Sequence, residues 1–190
     1  GKYTVSAHTP GELEKKMSAP YYAGSNEIEI EKGLTTKTDV VCKMKNSRIQ
    51  VKYGTDFITA FSEWTMTVDD GTNTAISYTQ DNTDPAAVYY YFTENTVEKI
   101  TVNISAKTVD GNTVSDSRTF KKTNATESYE EVSDYFGGGD AIVITMGAVG
   151  DSNGHITNIT INTSITFENS SESVEIPVVI ASLDMPSSTS

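Results

Sequence analysis

Apolar and polar side chains alternate along most of the chain, with the two-residue period of strands in place of the 3.6-residue period of helices. Tyr3, Val5 and Ala7 alternate with polar neighbours, Ile28 and Ile30 share a face within 26–31, and Val40, Cys42 and Met44 continue a run that starts at Thr35. Pro10-Gly11 ends the first strand, residues 12–17 are expected to form one helical turn before Pro20, and Lys32-Gly33 turns the chain between the second and third. Three strands do not close a sandwich. Residues 1–45 therefore read as a partial β unit that must pair with strands upstream, with the second unit, or with another chain.

A second unit is expected over 46–182, followed by a polar, Ser-rich tail over 183–190. Its first strand turns Ile49, Val51 and Tyr53 inward and Arg48, Gln50 and Lys52 outward. A short helix capped by Thr55 would then turn Phe57, Ile58 and Phe61 toward the sheet. Strands follow around Trp64, Met66 and Val68, over 75–79, over 88–93, and through Ile100, Val102, Ile104 and Ala106. Asp69-Asp70-Gly71, Asp110-Gly111-Asn112 and Asn153-Gly154 supply hairpin turns. A second helix is predicted over 127–136, where Tyr129, Val132 and Phe136 share a face and Gly137-Gly138-Gly139 ends it.

Near the end, Ile142, Val143, Ile144 and Met146 predict a strand buried on both faces. The phase of Ile159, Ile161, Ile165 and Phe167 leaves out Ile156, which predicts a bulge at Thr157-Asn158. Val174, Ile176, Val178 and Ile180 alternate regularly, but Pro177 lacks the N–H that a second neighbour would need. That predicts an edge strand.

Composition supports the same class: 16 Val, 15 Ile and 27 Thr stand against three Leu, and β-branched residues fit a pleated surface better than a helix. The fold expected is all-β, two sandwich units with one or two short helices. The net charge of −12 excludes a phosphate-tracking groove, so nucleic acid is not a partner. The charge is uneven. Nine basic and six acidic groups give residues 1–53 a charge of +3, while five basic and twenty acidic groups give residues 54–190 a charge of −15. No run of 18 apolar residues exists to span a membrane as a helix.

Two His and one Cys leave few routes to catalysis. His8 and His155 lie in no triad-like motif, Glu130, Glu131 and Asp134 fall on the solvated side of the second predicted helix, and Asp151-Ser152-Asn153-Gly154 has only the first oxygens of a calcium loop. No catalytic residue, metal or cofactor is assigned. Cys42, in phase with Val40 and Met44, reads as a core thiol without a disulfide partner. Asn103, Asn124, Asn158, Asn162 and Asn169 head N-x-Ser/Thr triplets that a chain this rich in Ser and Thr produces by chance. The run Tyr89-Tyr90-Tyr91-Phe92 is the one candidate for ligand binding. Val88, Tyr90 and Phe92 share one strand face, which leaves Tyr89 and Tyr91 either as a platform for a glycan or protein, or as cover for the other layer or the first unit.

Three segments carry a family resemblance: Gly1-Lys2-Tyr3-Thr4-Val5-Ser6-Ala7, Ala19-Pro20-Tyr21-Tyr22-Ala23-Gly24, and Val41-Cys42-Lys43-Met44-Lys45-Asn46. Ile49-Gln50-Val51-Lys52-Tyr53 and Phe61-Ser62-Glu63-Trp64 continue the same order. The chain resembles a Bacteroidetes domain family of unknown function found in cell-surface lipoproteins, fimbrillin-like in style. The resemblance covers 1 to about 122 closely and the rest more loosely. It implies a first unit similar to transthyretin and incomplete at its N-terminus, and an exported protein of the outer membrane or cell surface, lipid-anchored through a segment upstream of Gly1. It implies no catalytic residues. The function expected is a non-catalytic surface structural or assembly protein, joined to other subunits by β-strand addition; the alternative is an adhesin or glycan-binding module acting through Tyr89 and Tyr91.

Overall fold

The computed structural model describes residues 1–124, 133–167 and 171–179, the last stretch by its backbone alone. Among the described residues thirteen strands, one α-helix and, after β10, one 3-10 turn (Lys122–Asn124) follow in order: β1 (Lys2–His8), β2 (Lys16–Met17), β3 (Tyr22–Glu29), β4 (Thr35–Met44), β5 (Ser47–Tyr53), α1 (Thr55–Ala60), β6 (Phe61–Asp69), β7 (Ile76–Thr79), β8 (Val88–Tyr90), β9 (Lys99–Thr108), β10 (Thr113–Lys121), β11 (Asp140–Gly150), β12 (Ile156–Phe167) and β13 (Ser171–Val179). The fold is all-β and sandwich-like, as the alternation predicts.

Two sheets enclose the main core. One has the order β10-β9-β6-β7 and is antiparallel; the other, β12-β11-β5-β8-β2, contains one parallel pair, β5 with β11. Trp64, Met66, Val68, Ile100, Val102 and Ile104 of the first face Ile49, Val51, Ile142, Ile144, Met146 and Ile161 of the second. Helix α1 closes one end. Phe57 packs edge-on against Trp64 with ring centroids 4.9 Å apart, and Asp56 ties the helix down, accepting the Phe57 N–H at 2.9 Å and the Ala148 N–H of β11 at 3.0 Å. Thr55 is the first helical residue and not the cap, a position taken by Gly54. Ile58 is 42% exposed, so the buried stripe of this single-turn helix is Phe57, Ala60 and, just beyond it, Phe61.

The third sheet has the order β1-β3-β4-β13. Strand β3 pairs with β4 only at Tyr22 and Ala23; beyond that it pairs with β1 alone. The resulting ribbons, β1 with β3 and β4 with β13, enclose a small core holding Ile28, Val40, Cys42 and Met44. Cys42 is buried on the face shared by Thr38, Val40 and Met44, with Sγ 3.6 Å from the Ala7 carbonyl. Of the three pairings open to the first unit, the one present is with the far end of the same chain: β13 lies antiparallel on β4, as an edge strand carrying Pro177. The units read as 1–45 and 46–182 thus trade strands, since β2 also leaves the first to join β8 of the second.

Several local expectations change. Residues 12–17 form no helical turn; they run as a loop into β2, where Lys16 and Met17 pair with Tyr90 and Tyr89. Strand pairing satisfies this backbone where a single unsupported turn could not. Of the helix predicted over 127–136, residues 127–132 lie outside those described, and 133–136 are not helical. Strand β11 is buried on both faces only as far as Ala141 and Ile142, because Thr145 is exposed on the outer side. The bulge stands where expected: Val149 pairs with Asn158 and Gly150 with Ile156, leaving Thr157 as the extra residue. Gly33, Gly71, Gly111 and Gly154 all have positive φ, the conformation their turns require.

Candidate functional site: an open strand edge and a tyrosine face

Each sheet edge exposes a row of backbone N–H and C=O groups, and folded proteins normally guard such rows. Strands β2 and β7 are guarded by length, at two and four residues. Strand β13 carries Pro177. Strand β10 places Asp116 and Arg118 opposite the core residues Ile104 and Val102, and Arg118 donates to the Ile161 carbonyl of β12 at 2.9 Å, which ties those two edges together. Where β3 and β4 part, Asn26 spans the gap, its Nδ2 donating to Thr38 Oγ1 at 2.8 Å and to the Asp39 carbonyl at 3.2 Å.

Among the described residues strand β1 has none of these devices. It is seven residues long, holds no proline, and carries a permanent charge only at Lys2. Its hydrogen-bond phase follows from its ends. The Gly1 amine donates to the Ile30 carbonyl at 2.7 Å, the Ile30 N–H donates back to Gly1 at 2.9 Å, and the Thr9 N–H donates to Tyr22 at 2.8 Å. Tyr3, Val5 and Ala7 are in the same phase and direct their backbone groups to β3, so those of Lys2, Thr4, Ser6 and His8 point outward.

Strand β8 ends at Tyr90, short of the expected 93, but the alternation carries on past it: Tyr89 and Tyr91 lie opposite Tyr90 and Phe92, as their spacing predicts. Tyr90 and Phe92 are buried, with ring centroids 4.9 Å apart, while Tyr89 and Tyr91 are half-buried. Tyr89 stands between Arg48 of β5 and Met17 of β2, and the Tyr91 N–H donates to the Lys15 carbonyl at 2.9 Å. The first unit thus reaches the edge of this face through the loop before β2, which Lys15 also anchors by an ion pair to Asp70 at 3.1 Å.

The other candidates are placed as follows. His8 stacks on Tyr21 and its Nδ1 lies 3.0 Å from the Tyr21 hydroxyl; His155 is exposed, 3.5 Å from Asp151. Asp151 accepts the N–H groups of Asn153 and His155, and these hydrogen bonds hold its carboxyl below the usual range. Among the described residues no group of three or more His, Cys, Asp or Glu could hold a metal ion, and no helix is long and apolar enough to cross a membrane.

One pair escaped the sequence reading. Lys122, just after β10, places Nζ 2.5 Å from both carboxylate oxygens of Asp140, the first residue of β11, and the two residues are 3% and 1% exposed. In the sequence both look like ordinary charges near turns. Their burial comes from Phe92, Phe120 and Phe136, which long-range topology brings around them.

No curated protein and no solved structure matches the chain. A family model matches residues 1–178, which takes in every strand of both units up to β13, and the chain accordingly belongs to DUF4493, a family of domains of unknown function.

Proposed function

We propose that the chain is a non-catalytic structural or assembly protein of the cell surface, joined to other subunits by β-strand addition at β1. The observation that carries this reading is the contrast between β1, which turns out the backbone groups of Lys2, Thr4, Ser6 and His8, and the other outer edges, each short, proline-bearing or tied down. An added strand would satisfy those groups and extend the sheet. The resemblance to surface lipoproteins supports the exported location and an anchor upstream of Gly1, and the family description adds no activity to it.

The test uses proline as a blocking group. Thr4→Pro removes an outward N–H and leaves the bonds to β3 in place, so it should abolish association while the thermal transition changes little. Sedimentation of the wild-type chain over a wide concentration range should show a rising average mass that the variant lacks. A wild type that stays monomeric throughout overturns the proposal.

A second reading, an adhesin or glycan-binding module, draws on the half-buried rings of Tyr89 and Tyr91 on the outer side of their sheet.

A further inference from the structure

The buried Lys122–Asp140 pair lies outside the strand-addition reading. Nζ touches both Asp140 oxygens at 2.5 Å, so the carboxyl carbon is next in line to the nitrogen. Phe136 lies over the ammonium, 5.8 Å from Nζ to the ring centroid, and packs against Phe92 and Phe120. The Gly137 N–H donates to Asp140 Oδ2 at 2.8 Å, and a cavity of about 160 Å³ lined by Glu94, Ser133 and Tyr135 adjoins the pair.

We propose that Lys122 and Asp140 condense into an intramolecular amide, a covalent strut from the end of β10 in one sheet to the start of β11 in the other. Holding two charges out of water costs more than burying the one neutral amide they would form. Burial also pushes the Asp140 carboxyl up, against the hydrogen bonds from Lys122 and Gly137, and so toward the protonated form that condensation needs. Two reactants held at contact react as a unimolecular pair.

The step balances without an outside reagent. The Lys122 ammonium passes one proton to Asp140 Oδ1, leaving a neutral amine and a neutral acid. The Nζ lone pair attacks Cγ, and charge developing on Oδ2 is held by the Gly137 N–H. A second proton moves from nitrogen to Oδ1, the Cγ–Oδ1 bond breaks, and one water departs into the cavity. The product amide keeps one hydrogen on nitrogen.

Intact-mass spectrometry of the folded full chain reads the result directly. The expected mass is one water below that of the sequence, with a branched peptide joining Lys122 to Asp140. Lys122→Arg should restore the full mass. Asp140→Asn should form the same amide by expelling ammonia, and so be lighter than its own sequence by one ammonia. A folded wild type at full sequence mass overturns the proposal. So does a water loss that persists in Lys122→Arg and maps to Asp70-Gly71 or Asp110-Gly111, because that marks cyclisation at an Asp-Gly bond.

Discussion

Lys15 Nζ lies 3.1 Å from Asp70 Oδ2 and 4.5 Å from the centroid of the Tyr90 ring, so one side chain pins the loop before β2 to the turn after β6. Burial works to raise the Asp70 carboxyl, but hydrogen bonds from Thr72 and Lys15 outweigh it and hold the group below the usual carboxylate range. A folded pKa depressed in this way stabilises the fold above the unfolded-state value, and the contribution is lost as pH falls through the folded value. The protection factors of the amides over residues 12–19, taken relative to the intrinsic exchange rate at each pH, should therefore fall as the solution is acidified. Asp70→Asn should show the faster exchange already at neutral pH, with a global loss below about 1 kcal/mol because Lys15 is partly exposed. Equal exchange in variant and wild type at neutral pH would show that the pair does not hold the loop.

Gly24 marks where the two ribbons of the third sheet touch. A Cβ built there would fall on the backbone carbonyl of Val41, which cannot move aside as a flexible side chain could. Gly24→Ala is expected to cost on the order of 1–3 kcal/mol through forced backbone shifts. Urea unfolding should show a lower midpoint, and an unchanged midpoint would mean that the ribbons separate easily.

Asp56 bonds α1 to β11 by accepting the Ala148 N–H. Asp56→Ala leaves the Ala148 N–H without that acceptor and Phe57 without its local one. The expected loss is about 0.5–1.5 kcal/mol, since water can reach the exposed Ala148 N–H, and it is read from the denaturation midpoint, with Asp56→Asn recovering part of it through the amide oxygen.

Tyr89 and Tyr91 separate the two functional readings. If they form a ligand platform, replacing both with Ala should abolish binding on a glycan array while leaving the melting temperature within a few degrees, about what a change of 1 kcal/mol brings. A wild type that finds no glycan, or a double variant that unfolds, would make these rings structural and leave strand addition as the surviving reading.

Much of the fold is legible where local chemistry decides it. The alternation of Val40, Cys42 and Met44 gives the buried face of β4, the phase slip at Ile156 locates the bulge at Thr157, and Pro177 marks an edge. What escapes is pairing between distant strands. Nothing in Ile49 or Ile144 announces that β5 and β11 lie parallel, because a period of two fixes a face but names no neighbour. The loop of residues 12–17 misleads for the same reason: its local pattern allows a helical turn, and the open edge of β8 decides otherwise. Lys122 and Asp140 are hidden more thoroughly, since their dryness belongs to three aromatic rings drawn from separate parts of the chain.

The return of β13 to β4 also sets an order of events. Cys42 waits for Glu172, so the third sheet cannot reach its full width until β13 has been made, after every strand of the main sandwich. The sandwich of β5 to β12 can assemble while β4 still has an unfilled side. Pairings of such long sequence separation form slowly. During that interval β4 is open to a strand from elsewhere, so the same chain could capture a neighbour early and be closed to it later.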